Sequence, residues 1–246
     1  MWQQRVPSAA DTVADFIEFA SMWLEDRRYT LNVDVDMQAW ARAMASAPGM
    51  ALVNPTFDPR WSPLSPANSF WLDIRAGSHT VAMIAARLFV TDDYLEVMRS
   101  TRLWYDPPRA ARLPIELPEG TPAISGSVGH EGGLWVHPEH RKRGFSVILP
   151  HLVRALCHRE WHVDWQTGAT MRGIGESGIA VWAYGAPHLV PCYEGHFPVT
   201  GRTDRLFLVY MSQTELVAGL DPGRVARLLP DRHHEMRHPA VQVHKG

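Results

Sequence analysis

The chain has 246 residues, 46% hydrophobic and 20% charged, which rules out a wholly disordered protein and leaves enough length to bury a core. Its formal net charge of -2 argues against a generally basic surface, so we predict no nucleic-acid partner. Acidic residues interrupt the apolar stretch within the first 30 residues, so we predict neither a secretory signal nor a membrane span and expect a cytoplasmic protein.

Two amphipathic helices open the chain. Apolar residues at helical spacing predict one helix from about Asp11 to Arg28 and a second from about Asp36 to Ser46, which Pro48-Gly49 ends. We predict that the two helices form a hairpin and that residues 1–48 are a helical elaboration of the domain. The prolines between Asn54 and Asn68 then predict a surface loop, because proline forbids a central strand or a long helix.

From Ser69 the apolar period changes to two, which is typical of strands. The alternation predicts a β-hairpin with a three-residue loop, Ala76-Gly77-Ser78, and a second strand that ends near Val90. Residues 92–122 combine a short helical pattern with a proline-rich stretch, so we predict an insertion between strands. A third long strand follows from about Ala123 to Val136.

The second half of the chain alternates between helix and strand. A helix is predicted from about Gly144 to His162, a strand near Val163 to Thr170, and a last strand from Arg205 to Met211. Residues 214–246 read as a short helix and a flexible tail. These assignments place a sheet core at 49–213.

The turn between the third strand and the following helix carries the clearest chemical signal. Arg141, Lys142 and Arg143 stand at the start of the helix, next to Gly144. Unpaired backbone N–H groups and the positive end of the dipole already favour an anion there, and basic side chains oppose that dipole. An anion is the natural reason to keep three basic residues there, so we predict an anion site at Arg141 to Ser146.

These residues resemble the signature of the GNAT acyl-CoA N-acyltransferases, a strand that ends in Val-x-Pro followed by Arg/Gln-x-x-Gly-x-Gly/Ala. Here Val136-His137-Pro138 precedes Arg141-x-x-Gly144-x-Ser146, and leucines continue at the family's spacing in the helix. Ser146 replaces the usual Gly or Ala. The resemblance implies an α/β (α+β) fold with a mixed, mainly antiparallel sheet flanked by helices on both faces. The family's usual first strand is missing; either Met50 to Asn54 replaces it, or this edge of the sheet is absent.

The resemblance also implies an activity, the transfer of an acyl group from acyl-CoA to an amine in a ternary complex. The expected acyl group is acetyl, with acetyl-CoA or a similar acyl-CoA as its source. No sequence pattern identifies the acceptor amine. Acceptor specificity is expected to depend on the loops 55–68 and 92–122. A homodimer is compatible with the sequence. The residues implied to bind acyl-CoA are Leu134, Val136, Arg141, Lys142, Arg143, Gly144, Phe145 and Ser146.

Acyl transfer needs polarising N–H groups, a base and an acid. The pair Gly132-Gly133 is expected to allow a bulge that frees N–H groups near Leu134 to Val136. Glu131 is the predicted base, with His130 as the alternative. The acid that meets the departing thiolate is a tyrosine in the family, and here the candidates are Tyr193 and Tyr184; spacing to the last strand favours Tyr193.

The sequence is also compatible with two other functions. The chain could be a catalytically inactive GNAT-fold module that binds CoA or a protein. The string His234-Glu235-x-x-His238 also matches the zinc-hydrolase motif, but Pro230 and Pro239 bracket it and oppose the stable helix that the motif needs. We therefore predict no metal site.

Overall fold

The computed structural model describes residues 8–50 and 52–230. Within them the chain folds into one seven-stranded sheet with helices on both faces. The strands are β1 (Thr30–Asp34), β2 (Ser69–Ala76), β3 (His79–Thr91), β4 (Gly126–Val136), β5 (Trp165–Met171), β6 (His188–Phe197) and β7 (Arg202–Ser212). The helices are α1 (Ala9–Glu25), α2 (Met37–Ser46), α3 (Tyr94–Arg99), α4 (Phe145–Trp161), α5 (Arg172–Ser177), α6 (Ile179–Trp182), α7 (Gln213–Gly219) and α8 (Pro222–Ala226).

The strand order is β1-β2-β3-β4-β5-β7-β6, and each neighbouring pair is antiparallel except β4 and β5. A parallel pair requires a crossover connection, and α4 supplies it. The predicted fold class, a mixed and mainly antiparallel sheet between helices, is therefore confirmed.

Two apolar layers cover the sheet. The larger layer lies between the sheet and α1, α4, α7 and α8, with Phe16, Leu152 and Val225 fully buried in it. The opposite face is covered by α2 and α3, around Trp40 and Tyr94. Because successive side chains of a strand point to opposite faces, β3 and β7 contribute to both layers, which explains the long apolar runs in their sequences.

The predicted hairpin of the first two helices is wrong. Strand β1 lies between α1 and α2 and pairs antiparallel with β2, and the two helices lie on opposite faces of the sheet. The first strand of the sheet is thus Thr30–Asp34, inside the segment 1–48, and Met50 to Asn54 does not form it. The strand is five residues long and partly exposed, so its alternation is too short to show in the sequence.

The β2–β3 turn is tighter than predicted. Ala76 pairs with His79, so the loop has two residues, Gly77 and Ser78, instead of three. Gly77 has φ +60°, which glycine adopts without strain and which two-residue hairpin loops require.

Candidate active site

The site begins where β4 and β5 separate. The two strands pair only from Val128 with Trp165 to Glu131 with Gly168. Beyond Gly168, among the described residues, β5 pairs only with β7 and β4 pairs only with β3. The facing edges therefore leave backbone N–H and C=O groups without a strand partner, in an opening at the centre of the sheet.

A β-bulge lies on β4 beside this opening. Gly132 pairs with Ala85 and Trp135 pairs with Met83, so Gly133 and Leu134 together oppose Ile84. Gly133 has φ +64°, and a Cβ there would lie 2.6 Å from Cζ2 of the Trp40 ring. The position thus admits only glycine, and the bulge predicted at Gly132-Gly133 is confirmed.

The start of α4 presents a row of unpaired donors. Helix α4 begins at Phe145 after Gly144, whose φ is +86°, and no side chain of residues 8–50 or 52–230 caps it. Within the same residues, the backbone N–H groups of 142–146 have no hydrogen-bond partner. The exposed side chains of Arg141 and Lys142 add positive charge. This set of donors fits a pyrophosphate, which offers several anionic oxygens to adjacent N–H groups.

The backbone N–H groups of 142–146, with the side chains of Arg141 and Lys142, form what we call the anion cradle. Packing around Gly144 closes one side of it. A Cβ at Gly144 would lie 2.9 Å from Cδ of Pro230 and 3.0 Å from both Leu229 and Trp23. Arg143 donates to the Tyr29 hydroxyl at 3.1 Å, so the segment after α1 also contacts the turn. Any side chain at position 144 would be strained for steric and backbone reasons, whatever ligand is bound.

Glu131 points from β4 toward α4, where it forms a buried ion pair. Its carboxylate accepts from Nε of Arg154 at 2.9 and 3.1 Å, from a terminal guanidinium N–H of Arg154, and from Nε2 of Gln166 at 3.0 Å. Both partners of the pair are less than a tenth exposed. The prediction that Glu131 is the base stays a prediction; its oxygens are occupied by donors in this structure.

The two candidate tyrosines lie on opposite faces of the sheet. Tyr184 follows α6 and is half-buried in the layer of α4, and its carbonyl accepts from Arg154. Burial, followed by the nearby Glu131 charge, raises the pKa of Tyr184. Tyr193 lies on β6 against the other layer and donates to the carbonyl of His196 at 2.8 Å. The structure therefore brings Tyr184, rather than Tyr193, close to Glu131.

His130, next to Glu131, points to the face of α2 and α3. Its Nδ1 lies 2.7 Å from the Tyr94 hydroxyl and 3.1 Å from Oγ1 of Thr167, and Phe57 stacks on its ring. Thr167 donates its hydroxyl proton to the carbonyl of Gly129 at 3.0 Å. We assign the ring proton to Nδ1, because Thr167 gives its own proton to Gly129 and can therefore only accept from this nitrogen; Nε2 then keeps a free lone pair.

The charge state of His130 follows from its surroundings. Burial, followed by the positive charge of Arg87, lowers the pKa of His130 to about 3. The ring is therefore neutral at physiological pH. It can accept a hydrogen bond through Nε2, which has no partner among residues 8–50 and 52–230.

A cavity of about 300 Å³ lies on the same face and reaches His130. Its floor is formed by the ends of β5 and β7, and its walls by the segment after α2, Trp104 and the β6–β7 loop. The residues that line it are Gly49, Met50, Leu52, Asn54, Trp104, His130, Ala169, Thr170, Met171, Phe197, Val199, Thr200, Arg202 and Leu206. Because β5 borders both this cavity and the opening beside β4, the two are adjacent.

The loops predicted to select the acceptor contribute little to this cavity. Trp104 is the residue from 92–122 that lines it, and the segment 55–68 lines it with no described residue. The insertion instead borders a separate cavity of about 740 Å³ with Asp92, Glu116 and Glu119 in its wall. The contributions of 49–54 and 197–202 were missed, because only the tertiary fold brings the two segments together.

The zinc-hydrolase motif, His234 to His238, lies outside the described residues. Within the described ranges, no group of three or more His, Cys, Asp or Glu side chains has an arrangement that could hold a metal ion. None of the described helices is both long and apolar enough to cross a bilayer.

Comparison with solved structures finds acetyltransferases of similar fold. NAA60 from Arabidopsis thaliana in complex with acetyl-CoA is 11% identical, with a TM-score of 0.47 over 75% of this chain and 98% of that one. Spermidine N-acetyltransferase from Vibrio cholerae, a dodecamer, is 10% identical, with a TM-score of 0.44 over 77% of this chain and 96% of that one. No family model and no curated protein matches the chain. Similarity at this level bears on neither the activity nor the substrate of this chain.

Proposed function

We propose that this protein transfers an acyl group from an acyl-CoA thioester to a primary amine. One observation carries the proposal: the opening between β4 and β5 lies between an anion cradle at the start of α4 and a cavity on the opposite face. Two reactants that enter from opposite faces would meet at this opening. The thioester supplies an activated acyl group when it is bound.

The cradle and the bulge perform two separate tasks in this proposal. The N–H groups of 142–146 donate to the pyrophosphate, and Arg141 and Lys142 add charge. Free backbone N–H groups near Leu134 to Val136 donate to the thioester carbonyl oxygen and stabilise the negative charge that develops there. Leu134 and Val136 both pack toward the layer of α4.

Proton movements complete the reaction. A C–N bond forms and the C–S bond breaks; the amine loses a proton to solvent water, the thiolate gains one from a general acid, and that acid regains its proton from solvent. We assign the thiolate's proton to the Tyr184 hydroxyl, since this group is half-buried on the face of the cradle. Neutral His130 accepts a hydrogen bond from the amine through Nε2, and with a pKa of about 3 it orients the amine rather than stores its proton.

The cofactor site is tested by calorimetric titration of acetyl-CoA into the wild type and into Arg141→Ala combined with Ser146→Glu. Position 146 is half-buried at the first turn of α4 and, unlike Gly144, has no positive φ, so the carboxylate enters the cradle without backbone strain. We expect micromolar binding by the wild type and affinity about a hundredfold weaker in the double variant.

The matched control is Arg159→Ala, which removes an exposed arginine at the far end of α4 and should leave the affinity unchanged. Equal binding by the double variant would place the nucleotide elsewhere. Absence of binding to a folded wild type would reject the acyltransferase proposal, whereas binding without turnover of any amine would favour an inactive CoA-binding module.

The acid is tested by comparing Tyr184→Phe with Tyr193→Phe. We expect Tyr184→Phe to lower kcat by about a hundredfold, because loss of a positioned proton donor removes general acid catalysis. Tyr193→Phe removes only a hydroxyl that donates to a local carbonyl, so its kcat should stay within about twofold of the wild type. The reverse ranking in single-turnover rates would assign the role to Tyr193.

A further inference from the structure

The cavity beside His130 has an unusual charge pattern for a site that receives a cationic amine. Among the residues of 8–50 and 52–230 that line it, none is Asp or Glu. Its lining is mainly apolar, with contributions from Leu52, Trp104 and Phe197, and also contains the neutral polar side chains of Asn54, Thr170 and Thr200. The charged lining residue is Arg202, whose side chain is 72% exposed. Among the described residues, the carboxylate nearest to Arg202 is that of Asp204 at 3.9 Å, and it does not line the cavity.

This lining makes a second positive charge on the ligand costly. An ammonium group buried in an apolar cavity loses its hydration and requires an anionic partner or several acceptors. The reacting amine has an acceptor in the neutral ring of His130, which lines the cavity and whose Nε2 has no partner among the described residues. A second ammonium farther out would find only neutral side chains of the described lining in place of a carboxylate, and would then meet the like charge of Arg202.

The same lining favours an apolar ligand body. Trp104 and Phe197 form an edge-on ring pair, with centroids 5.0 Å apart, in the wall of the cavity. Aromatic walls gain from contact with an apolar or aromatic group. The volume of about 300 Å³ lies at the lower end of the range for small-molecule sites.

We propose that the cavity takes a small primary monoamine with an apolar, preferably aromatic body, and that Arg202 at its mouth excludes polyamines. The inference rests on the proposed function, since that function makes the cavity an acceptor site. The specificity is carried by two features: the acid-free lining and the cation at the entrance.

The test measures amine binding directly, by calorimetry at pH 7, with the protein alone and with the protein saturated with CoA. The probes are 2-phenylethylamine and 1,4-diaminobutane, which are similar in length and differ in their second charge. We expect 2-phenylethylamine to bind at least about tenfold more tightly than 1,4-diaminobutane. The second ammonium of the diamine would lose its hydration without gaining an anionic partner, and this costs more free energy than a tenfold change in affinity represents. Equal or tighter binding of the diamine, or no binding of either amine, would overturn the proposal.

A charge reversal at position 202 tests whether Arg202 causes the preference for the monoamine. In Arg202→Glu the preference for the monoamine should shrink by about tenfold or more, because the entrance then attracts the second ammonium. Arg224→Glu, on α8 at the opposite face of the sheet, makes the same change in net charge and should leave the preference unaltered. An unaltered preference in Arg202→Glu would contradict the role of Arg202.

The proposed ligand class of the cavity and the proposed acyltransferase activity can fail independently of each other. Selective binding of 2-phenylethylamine without acetyl transfer would leave the ligand class standing and reject the proposed function. Acetyl transfer with a preference for 1,4-diaminobutane would support the proposed function and reject the ligand class.

Discussion

Replacing Arg154 with methionine is expected to lower the free energy of unfolding by about 3–5 kcal/mol, because it leaves a buried charge without its partner. Glu131 is 8% exposed, and Arg154 supplies most of the donors to its carboxylate. The side chain of Gln166 remains, but one amide N–H does not compensate a buried carboxylate. Chemical denaturation at pH 7, with the m-value as a check on two-state unfolding, measures the loss.

The control is the double variant Arg154→Met with Glu131→Gln. It removes both charges and keeps a similar volume, so it should recover most of the stability lost in Arg154→Met. The carbonyl oxygen of the introduced amide would still accept from Gln166. If the single and double variants lost the same stability, the charge argument would be wrong, and Arg154 would contribute through packing alone.

The ion pair between Arg154 and Glu131 also connects β4 to the segment that carries Tyr184. Arg154 on α4 bonds both Glu131 on β4 and the carbonyl of Tyr184 after α6. It thus fixes the segment that carries the candidate acid against the strand that carries the bulge. A buried pair adds little net stability over apolar packing, so we interpret this one as a device that positions Tyr184.

The long periodic elements of the fold were predictable from the sequence. The helix over Phe145–Trp161 and the strands of the β2–β3 hairpin differ from their predicted bounds by a few residues at most. The shortest of these elements, β2, has eight residues, which is long enough for its pattern to show in the sequence. Strand β1 was not predictable, because five partly exposed residues carry no clear alternation and their role depends on the free edge of β2.

Local chemistry predicted the cradle and the bulge. Three adjacent basic residues and a glycine at a helix start, and a glycine pair in a strand, are signals confined to short segments. The partners of Glu131 and His130 are not local: Arg154 is 23 positions away along the chain, and Thr167 is 37 positions from His130. Only the sheet register and the packing of α4 determine that these side chains meet, so no sequence pattern shows it.

Lowering the pH from 7 to 4.5 is expected to reduce the free energy of unfolding by about 5 kcal/mol through two buried histidines. The pKa of His130 is lowered to about 3, and that of His151 to about 4, in both cases chiefly by burial. Neighbouring positive charges, Arg87 and Arg154 respectively, act in the same direction. In the unfolded chain both rings titrate near 6.5.

The direction follows from proton binding. Between about pH 6.5 and the two folded pKa values, the unfolded state binds protons that the folded state excludes, so stability falls as the pH falls. The contribution is complete above pH 6.5, and each histidine contributes about 2–3 kcal/mol of the loss at pH 4.5. Denaturation midpoints measured at half-unit steps of pH give the slope.

A variant isolates the larger of the two contributions. His130→Asn keeps an amide that can donate to the Tyr94 hydroxyl and Thr167 but cannot take up a proton, so roughly half of the histidine-dependent slope between pH 6.5 and 4.5 should disappear. His79→Asn, at an exposed position in the β2–β3 turn, should leave the slope unchanged. If His130→Asn kept the full slope, His130 would be accessible to protons in the folded state, and its role as a neutral acceptor for the amine would fall with it.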